Sequence, residues 1–67
     1  MINTLKLQAK MKEKAFTIKT LSKAVGLSVT GLFNKIHNKR EFTVTELQKI
    51  VKALGLNSTE MQNIFFT

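Results

Sequence analysis

The chain has 67 residues, a net charge of +7 at pH 7, no cysteine, no proline and one histidine. A chain this short makes one domain and buries only about 60% of the surface its unfolded form exposes, so its core is thin and well-formed helices or a partner chain must support it. Disulfide frameworks, thiol catalysis, zinc fingers and a two-histidine metal site are excluded, no apolar run reaches membrane or signal-peptide length, and the basic balance points to a polyanionic partner in a reducing, cytoplasmic setting.

Residues 3 to 14 interleave lysines with Leu, Gln, Ala and Met, and Leu7 and Met11 stand four apart, which predicts a short amphipathic helix with a basic outer face. Ala15 and Phe16 break that pattern. Thr17 then offers a hydroxyl to an unpaired helix N–H, and a second helix follows over about 18–25, its apolar stripe made by Ile18, Leu21 and Val25. Gly26 comes where a left-handed residue must close that helix, and Leu27 tucks beneath the turn at 26–28. Ser28 caps a third helix over about 29–37, with Leu32 and Ile36 facing inward. Ser22 is small where the two helices of this pair must approach.

Asn38 tolerates the left-handed stop that the third helix needs, and Lys39-Arg40-Glu41-Phe42 form a loop. Thr43 with Glu46 makes a capping box, after which Val44, Leu47, Ile50, Val51 and Leu54 recur at helical spacing up to Gly55. A last helix opens after Asn57 or Ser58 and carries Met61, Ile64 and Phe65. Phe65 and Phe66 are expected to pack within the monomer, with a second subunit as the other place for them. With no strand pattern, the fold class is all-α, a compact bundle of about five short helices, and the whole of 1–67 is one domain.

Thr17, Leu21, the Gly26-Leu27-Ser28 corner, Leu32, Ile36, the Asn-Lys-Arg loop, the Thr43 cap and the Leu54-Gly55-Leu56 ending occur here together. From about Leu7 to Phe66 the chain therefore resembles the small Cro/CI-like helix-turn-helix proteins of temperate bacteriophages, within the XRE-type transcriptional regulators. The resemblance implies a lambda-repressor-like DNA-binding domain, acting in the cytoplasm of a bacterial host, with the third helix as recognition helix. It carries base reading onto Val29, Thr30, Phe33 and Asn34. Phosphate contacts fall on Thr17, Ser28, Lys35, Lys39 and Arg40, assisted by His37 when protonated. The implied partner is a double-stranded DNA operator, bound as a homodimer in many members of the class. Met61, Ile64, Phe65 and Phe66 are the expected dimer surface.

The chain departs from the family's usual pattern at Ser22, where Ala is common, and at Ala15 and Asn38, where Gly is common. Its reading face carries Val29, Gly31 and Phe33, which meet thymine methyls but cannot make bidentate bonds to bases. An exposed Phe33 near Val29 also suits a protein contact. That leaves a second reading open, a modulator of repression in the lysogeny–lysis switch that binds a CI-type repressor protein through this face. Duller roles stand beside these. Phe33 can fold onto Lys or His stems, Lys35 can snorkel, His37 can answer a helix dipole, and Lys6, Lys10, Lys12 and Lys14 can form a solvated face. Glu13, Glu41, Glu46 and Glu60 fall on separate helices or loops, so no catalytic residue, metal site, cofactor or small-molecule substrate is expected.

Overall fold

The five helices of the computed structural model, which describes residues 2–66, are α1 (Thr4–Glu13), α2 (Ile18–Val25), α3 (Val29–Ile36), α4 (Val44–Leu54) and α5 (Ser58–Phe65). Met1 and Thr67, the ends of the expected domain, lie outside the described residues. Each helix opens on a side chain that accepts from its own first turn: Asn3, Thr17, Ser28, Thr43 and Asn57. These caps satisfy N–H groups that a helix cannot pair internally.

The ends of α1, α2, α3 and α4 share one device. Ala15, Gly26, Asn38 and Gly55 all take positive φ, between 60° and 73°. One residue further on, the N–H of Phe16, Leu27, Lys39 and Leu56 reaches back to the carbonyl of Met11, Ser22, Asn34 and Val51 respectively. This is the Schellman closure, which normally brings an apolar residue just past the helix down onto its last turn. Phe16, Leu27 and Leu56 follow that rule and pack on the core. Lys39 does not, because its position opens onto the outer face of α3.

The core is built from Leu7 and Met11 of α1, Leu21 and Val25 of α2, Leu32 and Ile36 of α3, Ile50 and Leu54 of α4, Leu56, and Ile64 and Phe65 of α5. Packing is densest between α2 and its neighbours α3 and α4, while α1 rests on α5. Ser22 is buried at the centre of this arrangement, and its hydroxyl donates to the Lys19 carbonyl at 2.7 Å, so its polarity is satisfied locally.

Two ion pairs lock helices together. Lys35 of α3 meets Glu46 of α4, and Lys10 of α1 meets Glu60 of α5 while also reaching Glu13. The sequence separates Glu13 from Glu60, but the fold brings both to the Lys10 ammonium.

Several expectations change. Val44 matches the apolar spacing of α4, yet it is 73% exposed, since the first residue of that helix projects beyond the core. Phe66 is 65% exposed because the chain leaves α5 there, whereas Phe65 turns inward and meets Phe42 edge-on at 6.0 Å. Ile64 and Phe65 are therefore used inside the monomer and are not free to form a dimer surface.

Candidate nucleic-acid interface

The outer face of α3 follows from its register. Leu32 and Ile36 are buried, so positions 29, 33 and 37 form one outward ridge and positions 30 and 34 the ridge beside it. Val29 and Phe33 are 44% and 43% exposed, Thr30 is exposed, and Asn34 is half-buried. All four residues expected to read bases or meet a partner thus share one accessible face.

Phe33 is partly sheltered on this ridge. Its ring lies against the His37 imidazole with centroids 4.2 Å apart, and the Lys39 ammonium stands 6.0 Å from its centre. The ammonium thus stands at the outer reach of a cation–π contact with the Phe33 ring, an arrangement worth at most about 0.5 to 1 kcal/mol at an exposed site. This is the Schellman contact in polar form, with a cation over a ring in place of two apolar side chains.

The N-termini of α2 and α3 carry no acidic residue in their first turns, whereas those of α4 and α5 contain Glu46 and Glu60. At α2, Thr17 and Thr20 cap one another: the Thr20 N–H donates to Thr17 Oγ1 at 3.2 Å and the Thr17 N–H to Thr20 Oγ1 at 2.9 Å. At α3, Ser28 Oγ accepts the Gly31 N–H at 3.0 Å and keeps its own proton for an outside acceptor. A Cβ on Gly31 would come within 3.0 Å of that hydroxyl, so glycine leaves room for the cap. Neutral caps leave the positive ends of these helix dipoles uncompensated, which suits an incoming anion.

The cations differ in their commitments. Lys35 is turned to Glu46, and the ammonium, followed by the Thr43 N–H, holds the Glu46 carboxyl below the usual carboxylate range. Lys39 and Arg40 follow α3 as exposed cations, and Thr17 and Ser28 are exposed with them. From Thr17 to Arg40 the chain holds Lys19, Lys23, Lys35, Lys39 and Arg40 and not one Asp or Glu. This absence of acid is visible in the sequence and is a better signal of the surface than any single lysine.

Other surfaces lack such convergence. A cleft of about 380 Å³ runs between Ile2, Asn38, Arg40, Phe42 and Phe66. Among the described residues no group of three His, Cys, Asp or Glu stands close enough to hold a metal ion, and no helix is long and apolar enough to cross a membrane.

No curated protein and no solved structure matches the chain. The sequence profile of one family does, the Cro/C1-type HTH DNA-binding domain, over residues 6–61. That span takes in α2, α3 and α4 whole, together with the carboxylate-free corner described above. The chain belongs to the Cro/C1-type HTH DNA-binding domain family and is on that ground a DNA-binding regulator of transcription.

Proposed function

We propose that residues 1–67 act as one Cro-like repressor unit of a phage-type genetic switch, working in the cytoplasm of a bacterial host and laying α3 in the major groove of a double-stranded operator. The observation that carries this reading is the pairing of two neutral-capped, acid-free helix N-termini with the exposed Lys39 and Arg40 beside one accessible helix face. Thr30 and Asn34 supply the hydrogen bonds to base edges, and Val29 and Phe33 meet thymine methyls. Thr17, Ser28, Lys39 and Arg40 grip phosphates, and Lys35 acts from behind by tying α3 to α4. Two-fold binding to a palindromic operator as a homodimer belongs to this reading.

One observation favours a second reading. Val29 and Phe33 form an exposed apolar ridge, which suits a modulator that docks on a CI-type repressor protein. One titration separates the two. Fluorescence anisotropy of the purified protein against DNA flanking its own gene, across a salt series, is expected to give log K falling with log salt at a slope near −5, as about six neutralised phosphates require. A slope near zero, with capture of the neighbouring repressor that Phe33→Ala abolishes, would transfer the function to the modulator.

A further inference from the structure

Three of the Schellman corners are anchored by an apolar residue in the core, Phe16, Leu27 or Leu56, and their left-handed residues are Ala15, Gly26 and Gly55. The corner after α3 has no such anchor, since Lys39 lies outward over Phe33. It has instead the one left-handed residue of the set with a polar side chain. Asn38 Oδ1 accepts the Ile2 N–H at 2.8 Å, and Asn38 Nδ2 donates to the Ile2 carbonyl at 3.1 Å. The amide thus pairs with a backbone segment as a neighbouring strand would, at both the donor and the acceptor of one residue.

The segment it holds is itself tied down. The Asn3 N–H donates to the Ile64 carbonyl at 2.6 Å and Thr4 Oγ1 to the Ile36 carbonyl at 2.6 Å, which binds the stretch ahead of α1 to the ends of α5 and α3. Ile2 also packs on the core. On the other side of Asn38, the N–H groups of Lys39 and Arg40 both turn back to the Asn34 carbonyl, at 2.8 and 3.3 Å. Asn38 is therefore the link between a fixed piece of backbone and the two cations that follow the recognition helix.

We infer that Asn38 is a positioning residue for DNA binding: by clasping Ile2 it replaces the missing apolar anchor and holds Lys39 and Arg40 in the orientation that meets phosphates. The inference rests on the DNA-binding reading. Without the clasp the corner keeps its left-handed turn and the Lys39–Phe33 contact within α3 but loses the side-chain bonds that tie it to the segment ahead of α1, and Lys39 and Arg40 sample more directions. Ordering them on the duplex then costs entropy.

Asn38→Gly tests this, because glycine keeps the positive φ at no steric cost and removes only the amide. Binding to the operator-flank duplex is measured from 50 to 300 mM salt, below the melting temperature of every variant. The expected result is a helical protein whose affinity falls about three- to tenfold, with a salt slope shallower by about 1 to 2. In a Lys39→Ala, Arg40→Ala background Asn38→Gly is expected to add little, because the groups it positions are gone. Ile2→Pro, which deletes the N–H that Asn38 accepts, should move the slope in the same direction and covers the case in which Asn38→Gly fails to fold. A loss of stability alone would lower the melting temperature and leave the slope untouched. Wild-type slope in both variants overturns the inference while leaving the DNA-binding reading intact. Absence of salt-dependent binding in the wild type overturns both.

Discussion

The segment from Thr17 to Arg40 and the frame around it are built by the same rules and finished differently. Both use side-chain N-caps, Schellman closures and leucine-rich inner faces. In the frame, charge is spent inside the molecule: Glu46 and Glu60 complete capping boxes and also pair with Lys35 and Lys10. In the segment, caps are neutral, no carboxylate is present, and the cations that follow α3 face solvent. The helix N-terminus of α1 also lacks an acid, but Asn3 and Thr4 turn to the ends of α5 and α3. The Glu46 and Glu60 carboxylates of the frame thus go to stability, and in the segment the cations other than Lys35 are left for a partner.

The largest effect is expected where the two regions meet. Ser22 is buried on α2 and satisfied by the Lys19 carbonyl, so Ser22→Leu must force the packed helices apart. Overpacking of this kind costs about 1 to 3 kcal/mol, which in a domain this small corresponds to roughly 5 to 20 °C of melting temperature. Circular dichroism melts decide it, and an unchanged midpoint would mean that the contact is loose.

The next effect divides the regions directly. Lys39→Ala with Arg40→Ala is expected to weaken DNA binding about tenfold or more at moderate salt and to reduce the salt slope by about 2, with little change in melting. Lys12→Ala with Lys14→Ala, an equal loss of charge on exposed positions of the frame, should leave the slope nearly unchanged. Equal losses from both pairs would erase the distinction and reduce the interface to net charge.

A smaller and signed pair of effects tests the shared closure rule. Gly26 has φ +73°, and a Cβ there would meet nothing nearer than the Lys49 ammonium at 4.0 Å, so Gly26→Ala carries conformational strain with no clash. It should cost about 1 kcal/mol. Ala15 already sits at φ 60° and bears that strain in the native protein. Ala15→Gly should therefore stabilise by up to about 1 kcal/mol, partly offset by the greater freedom of the unfolded chain. If thermal melts move the same way for both substitutions, the left-handed closures do not govern stability here.

Most of this frame is legible in the sequence because its signals are local. A Thr three residues before a Glu, or a Gly after an apolar stripe, specifies a helix boundary whatever surrounds it. The α3 face was legible for the same reason, since Leu32 and Ile36 orient Phe33 and Asn34 by helix geometry alone. What depends on distant residues was not. Nothing near Lys35 or Lys10 announces Glu46 or Glu60, and Val44 fits the α4 stripe although the core ends before reaching it. Asn38 reads correctly as a left-handed stop, but its hold on Ile2 reaches back 36 residues, across all of α1, α2 and α3. Composition over a span, the missing carboxylates of residues 17–40, carries information that spacing rules pass over.

The smallest predicted effect is the dependence of the frame on pH, and its sign follows from two carboxyls. Lys35 and then the Thr43 N–H hold Glu46 below the ordinary range, and Lys10 and then the Asn57 N–H do so for Glu60. A carboxyl depressed in the folded state stabilises fully above its unfolded value, about 4.3, and loses that contribution as pH falls through the lower folded value. Lys10, raised chiefly by Glu60 and then by Glu13, acts in the opposite sense, its contribution present below its unfolded value and lost as alkaline pH passes the folded one. Glu46→Gln with Glu60→Gln keeps a glutamine at each capping-box position while removing the charge. The wild type should lose melting temperature below about pH 5, near the ordinary glutamate range, and the double variant should lose less over the same interval. Because Glu46 and Glu60 pair with Lys35 and Lys10 and not with Lys39 or Arg40, the cations proposed to meet phosphates, the DNA salt slope at pH 7 should be nearly the same for both proteins. A flatter melting profile with an altered slope would show that the frame's charges also reach the partner.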